Sequence, residues 1–296
     1  MVTAAPPPGP GVQTAMSTTF LRDALADRLG QTRAAQPDAF PRDGLVRNIH
    51  GDFTPMMCGG ISALLLQMLH PLALAGIWDH SNFRRDMIGR LRRTSEFIAT
   101  TSFGTLDQAE KAIARVRRVH ESVQGQAADG RPYSANDPDL LTWVHVAEMS
   151  RFLAGHLLYR NPRLSHADQD RYFFETAVIA EALGAQNVPD SRAAVTRYLI
   201  DKRGELTCDA RTREVVRILL DSPPKSLVMR PAGALFMRAG IDLLPDWAMQ
   251  MLELKMSPLA RRAVRTGIKG AMPMISRAVR SGTYRRALDR LQARRE

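Results

Sequence analysis

The stretch from Thr54 to Trp78, TPMMCGGISALLLQMLHPLALAGIW, holds no Asp, Glu, Lys or Arg over 25 residues. A run of that length either crosses a bilayer or fills the centre of a folded protein. Its interior decides between the two. Gln67, His70, Pro71 and the Gly59-Gly60 pair would place polar and helix-breaking groups against lipid, where freed backbone groups find no partner. The expectation is therefore a buried central helix, broken near His70-Pro71.

The rest of the chain reads as helix around that centre. Apolar residues make up 45% and charged residues 24%, enough to bury a sizeable core. Val, Ile and Thr rarely alternate with polar residues, and Ala, Leu, Arg, Met and Gln lose little freedom in a helix. Punctuation is frequent. Ser17-Thr18-Thr19 precedes an opening helix over Phe20–Leu29, and Thr54-Pro55 starts the apolar one. A third helix is expected over Asp86–Ala99. Thr105 and Gln108 form a capping box for Leu106–Gln124, closed by Gly125. Asn136-Asp137-Pro138 caps Asp139–Tyr159, Ser165 starts a helix ending at Leu183-Gly184, and Ser191 caps Arg192–Lys202. Weaker patterns predict helices over Ala210–Leu220, Ser226–Ala239, Pro245–Lys255 and Pro258–Lys269. The fold class is all-α: one multi-helix domain over 17–255, a disordered leader over 1–16 and a basic extension over 256–296.

The net charge of +11 and a pI near 10.4 imply attraction to an anionic partner. Cys58 and Cys208 stand far apart, so a disulfide framework, a cysteine zinc site and CxxCH haem attachment lack support. The first fifteen residues have neither a basic nor an apolar block, so no signal peptide is expected, and a reducing cytoplasm fits best.

Histidine placement points to chemistry. His120 follows Ile113 and Val116 and precedes Val123 at spacings of three and four, which puts it on the apolar stripe of its helix. His145 and His156 share a face with Met149 and Phe152, and His70 and His80 bracket the end of the apolar segment. A single inward histidine is most often a core residue bonded to a carbonyl. Several of them shift the balance toward a shared cofactor, because each buried imidazole needs a partner. A di-iron bundle asks for Glu-x-x-His, whereas this chain has the reverse, His145-x-x-Glu148. The His-Glu-x-x-His of a catalytic zinc site is missing. A b-type haem asks for one inward histidine, an apolar helical pocket and cations for its propionates. Periodicity alone leaves haem and a plain core both open.

From about His70 to Tyr198 the text resembles the MpaB-type oxygenases and rubber oxygenases (the latex-clearing-protein type), once catalogued as a domain of unknown function. The resemblance runs through Gln67-x-x-His70-Pro71, Asp79-His80-Ser81-x-Phe83 and Arg90-Leu91-x-Arg93-Thr94. It continues through Phe103-Gly104, His120, Gly125, Tyr133-x-Ala135-x-Asp137-Pro138, Trp143-Val144-His145, Glu175 and Leu183-Gly184. It implies haem b, with His120 as the iron's proximal ligand, Arg90 and Thr94 close to the haem, and His145 the next candidate. Two departures follow. Arg93 stands where the rubber-cleaving branch has a lysine able to cap the iron, and a guanidinium is a poor ligand. The region of that branch's acidic base, Leu72–Ile77, has no carboxylate, which leaves His70, His80 or Asp79 for acid–base work.

The expected function is a haem-b-dependent oxygenase that uses O2 on an apolar substrate, isoprenoid or another secondary metabolite. Arg90, Arg93, Thr94, His70 and His80 are its candidate catalytic residues. The rival is a non-enzymatic helical protein that binds lipid. Arg261, Arg262, Arg265, Lys269, Arg277 and the arginines beyond them interleave with apolar residues. That pattern suits an anionic membrane surface on the inner face of a membrane better than nucleic acid, for which no motif is present.

Overall fold

The computed structural model describes residues 21, 23–25, 38–222 and 230–280. The expected leader, most of the opening helix, the start of the helix expected from Ser226 and the chain beyond 280 lie outside the described residues. In chain order the elements are α1 (Leu45–His50), α2 (Phe53–Gln67), α3 (Pro71–His80), α4 (Phe83–Phe103) and α5 (Leu106–Glu121). A two-stranded hairpin follows, β1 (Gln124–Gln126) and β2 (Pro132–Ser134), then α6 (Pro138–Tyr159), α7 (His166–Leu183) and α8 (Arg192–Asp201). A 3₁₀ turn over Lys202–Glu205 leads to α9 (Ala210–Leu220), α10 (Arg230–Asp242), α11 (Asp246–Met251) and α12 (Pro258–Arg280). The protein is an all-α single domain.

The uncharged stretch divides at the expected place. Pro71 takes the first position of α3 and holds His70 in extended backbone, so α2 and α3 meet at 101°. Every residue from Ile61 to His70 is buried. No single helix among the described residues is long and apolar enough to cross a membrane.

α2 runs antiparallel to α6, and two glycines let the backbones touch. A Cβ at Gly59 would lie 2.7 Å from the Arg151 carbonyl oxygen, and one at Gly155 would lie 2.6 Å from that of Pro55. α10 packs on the outer side of α2, α12 on α10, and α7 along α6. α4 and α5 form an αα-hairpin, closed by the Thr105–Gln108 capping box. One contiguous core runs through Trp143, Tyr172, Phe40 and Phe83, all fully buried.

Several boundaries differ from expectation, three of them with a clear cause or consequence. Residues 124–126, expected as helix end and cap, pair instead with Pro132–Ser134, Gly125 opposite Tyr133. α4 begins earlier, at Phe83, with a kink at Asp86 (φ −140°, ψ 56°). α12 passes through Pro273 to Arg280, although proline forfeits a helix hydrogen bond there.

Candidate active site

α6 is buried on most of its circumference, but one stripe is not. Val144, Glu148 and Arg151, spaced by four and three, stay half-buried. Glu148 and Arg151 are the only charged residues between Leu140 and Tyr159. Both behave as enclosed groups. Burial raises the Glu148 carboxyl to about 7, against opposing pulls from Gln67 and Arg90. Burial alone lowers the Arg151 guanidinium to about 10. Arg90 of α4 is also half-buried, and burial, aided by Arg93, lowers it to about 10. Glu148 of α6, Arg90 of α4 and Gln67 of α2 thus meet in a partly buried recess between the three helices, Gln67 by a hydrogen bond and Arg90 by its charge, while Arg151 turns to the Leu243 carbonyl.

Bonding inside the recess is sparse. Gln67 Nε2 donates to Glu148 Oε1 at 3.3 Å, and Arg90 Nη1 reaches Ser81 Oγ only at 3.4 Å. Next to Glu148 runs a fully bonded chain. His50 Nδ1 lies 2.7 Å from Ser102 Oγ, and its Nε2 lies 2.8 Å from the Tyr172 hydroxyl, itself 3.3 Å from Met149 Sδ. Burial, with His145 and His156 nearby, pushes His50 down to about 3, so it is a neutral hydrogen-bonding core residue.

The expected site residues divide among three places. His120 and Arg90 belong to the two arms of the α4–α5 hairpin. Each stands about 13 to 14 residues from the turn, ~20 Å at 1.5 Å per residue, so they share a level. His120 is half-buried, its Nδ1 is buried with no hydrogen-bond partner, and burial lowers its pKa against an opposing pull from a hydrogen bond with the Ala135 backbone. Thr94 lies one turn beyond Arg90 and donates to the Arg90 carbonyl at 3.4 Å. Arg93 leaves this group: it turns outward and meets Asp86 at 3.5 Å, both side chains more than half exposed. His145 is buried on α6, within electrostatic reach of His50. His70 is buried against Trp143, ring centroids 5.7 Å apart, with Nδ1 unpartnered and Nε2 3.9 Å from Glu205. Burial holds it at about 4, neutral at physiological pH. His80 is exposed at the far end of α3, its Nε2 3.2 Å from the Gln124 carbonyl and 3.1 Å from the Tyr133 hydroxyl. That hydroxyl donates to Asp79 at 2.6 Å, so His80 and Asp79 tie the hairpin to α3.

A family model described as "ER-bound oxygenase mpaB/B'/Rubber oxygenase, catalytic domain" matches residues 47–292. The chain belongs to this family. Neither a curated protein nor a solved structure matches it significantly. Membership in the MpaB and rubber-oxygenase family makes the domain an oxygenase, with O2 and an oxidisable substrate as its reactants. Among the described residues no three His, Cys, Asp or Glu side chains gather as a metal site, and a haem iron would ask for one imidazole rather than a cluster.

Sequence reasoning gave no role to His50, Glu148 or Arg151. His50 sits in a short polar segment without periodicity. Glu148 and Arg151 carried a usable signal, as the two charges in an otherwise uncharged helix.

Proposed function

We propose that this oxygenase depends on haem b, held through His120, and acts on an apolar substrate. The observation that supports it best is the pairing, on one helical hairpin, of a buried His120 Nδ1 without a hydrogen-bond partner and a desolvated Arg90 guanidinium that feels the Glu148 charge but forms no salt bridge with it. A haem answers both, the iron taking the imidazole and a propionate the guanidinium. When bound, it supplies an iron centre able to bind and activate O2. The chain's own residues do the rest. Arg90 fixes orientation by charge-assisted bonds, with Thr94 beside it. Glu148, poised near neutrality, can hold or release a proton on the α6 side of the recess. His70 offers a second, neutral imidazole behind Trp143. Arg93 and His80 have other partners and enter only through those contacts. The apolar core that surrounds α2 and α6 suits a lipophilic substrate.

The purified protein should show a Soret band that His120→Ala abolishes while helical circular dichroism persists. Retention of a full haem complement in that variant would move the ligand, with His145 the next candidate.

A membrane-surface role for α12 rests on a separate observation. α12 has no acidic residue, and its outer face exposes Leu259, Arg262, Lys269 and Met274. Exposed apolar and cationic groups on one face suit an anionic bilayer on the cytoplasmic side. Replacing the exposed Arg262 and Lys269 with glutamine should lower binding to phosphatidylserine vesicles and leave haem content unchanged. Equal vesicle binding by both proteins would end this reading.

A further inference from the structure

The hairpin between α5 and α6 leans on α3 at one side and on the last turn of α5 at the other. On the α3 side, the Tyr133 hydroxyl donates to Asp79 Oδ2 at 2.6 Å and lies 3.1 Å from His80 Nε2. The same His80 nitrogen reaches the Gln124 carbonyl at 3.2 Å. Tyr133 is buried, and the backbone makes room for it. A Cβ at Gly125, its cross-strand partner, would lie 2.8 Å from the hydroxyl. On the α5 side, Val123 N donates to the His120 carbonyl at 3.0 Å and Ala135 N to the Val123 carbonyl at 2.8 Å. Asn136 Nδ2 donates to the Arg117 carbonyl at 3.3 Å. Residues 133–136 therefore form a short bracket, fixed by a tyrosine to α3 and by three bonds to the turn that carries His120.

The His120 imidazole closes this bracket. The Ala135 backbone bonds the ring, and that bond favours its charged form. Such a bond is one that the ring donates, so the acceptor is the Ala135 carbonyl. Nδ1 has no partner, which makes Nε2 the donor. A neutral imidazole carries one N–H. With that proton committed to Nε2, Nδ1 keeps its lone pair, the form that a metal takes.

We propose that Tyr133, clamped by Asp79 and His80, is a positioning residue for His120: through the Ala135 carbonyl it fixes the ring's tautomer and direction. The use of the Nδ1 lone pair rests on the haem reading; the clamp does not. A carbonyl bonded to the far nitrogen of a ligating imidazole raises its donor strength, so the clamp also sets how firmly His120 holds iron.

The test compares the unaltered full chain with Tyr133→Phe, which removes the hydroxyl and keeps the ring, and with Asp79→Asn, which keeps an acceptor oxygen. Nitrogen NMR of isotope-labelled histidine, on chain expressed under haem limitation, should find the His120 proton on Nε2 and slow to exchange with solvent. Tyr133→Phe should speed that exchange, and Asp79→Asn should stay near the unaltered rate. On haem-loaded protein, Tyr133→Phe should release haem to excess apomyoglobin about tenfold faster, again with Asp79→Asn near the unaltered rate. A proton on Nδ1, or a freely exchanging ring proton, in the unaltered chain would overturn the proposal without any variant, which covers a Tyr133→Phe protein that fails to fold. So would a Tyr133→Phe protein that loses only unfolding free energy, with proton exchange and haem release unchanged. A chain that takes up no haem but loses the protected proton in Tyr133→Phe would end the haem reading and leave the clamp standing. A red protein whose ring proton and haem release ignore Tyr133→Phe would do the reverse.

Discussion

Two groups of arginines in this molecule meet opposite circumstances. On α12, Arg261 and Arg265 converge on Asp242, whose carboxylate is fully buried and accepts from Arg265 Nε at 2.7 Å and Nη2 at 3.1 Å. On α4 and α6, by contrast, Arg90 feels the Glu148 charge without forming a salt bridge, and Arg151 bonds the Leu243 carbonyl and the Ser150 hydroxyl rather than a carboxylate among the described residues. The first group is complete within the chain and fastens α12 to α10. In the proposed reading a haem propionate completes the second at Arg90. A desolvated cation short of a direct partner is a candidate place for a ligand's charge.

Breaking the complete group should cost the most. Asp242→Asn should lower unfolding free energy by about 2 kcal/mol in urea titration, less than for a fully buried pair because the arginines can turn back to water. Haem content should stay at the unaltered level. A large haem loss would show that the two regions are not independent. Arg90→Gln should do the converse, weakening haem retention by about tenfold, roughly 1.4 kcal/mol, with little change in urea midpoint. If Arg90→Gln instead unfolds the protein, the guanidinium belongs with the structural cations.

Glu148→Gln has the smallest effect, and it is confined to pH. The folded-state carboxyl is raised from its ordinary value to about 7, so between about 4.5 and 7 the folded protein holds a proton that the unfolded chain releases. Stability is therefore lost as pH rises through that window, and Glu148→Gln should remove this loss. His50 and His70, depressed to about 3 and about 4, act with the opposite sign, costing stability as pH falls below about 6.5. The difference between the two proteins isolates Glu148. Identical slopes from pH 5 to 7 would mean that this carboxyl is solvated.

Much of the frame was legible because it depends on local chemistry. Pro71 broke the apolar stretch, Thr105, Ser165 and Ser191 capped their helices, and Gly184 ended α7 with φ at 114°. The hairpin was not legible, since Gln124–Gln126 is exposed and carries no alternation. The helix expected to end at Lys269 instead continues through Pro273 to Arg280. The site was legible in proportion to its periodicity. His120 stood out on an apolar stripe, and the text around Arg90 carried the family resemblance. His80 carried the same signals and sits exposed against the hairpin, because sequence spacing does not say what an end residue will meet. Glu148 and Arg151 appear in the sequence as charges in an uncharged helix. Whether such charges face solvent or an enclosed recess depends on α2, α4 and α10, which no local pattern reports.

The central claim is that Arg90 and the unpartnered Nδ1 of His120 await one cofactor. The visible absorption spectrum of the purified protein, beside that of His120→Ala, tests it most directly. The account predicts a red-brown protein whose Soret band shifts with carbon monoxide after reduction, and a His120→Ala variant without that band but with helical content intact. A colourless protein that takes up no added haemin, or a His120→Ala variant with an unchanged spectrum, would contradict it.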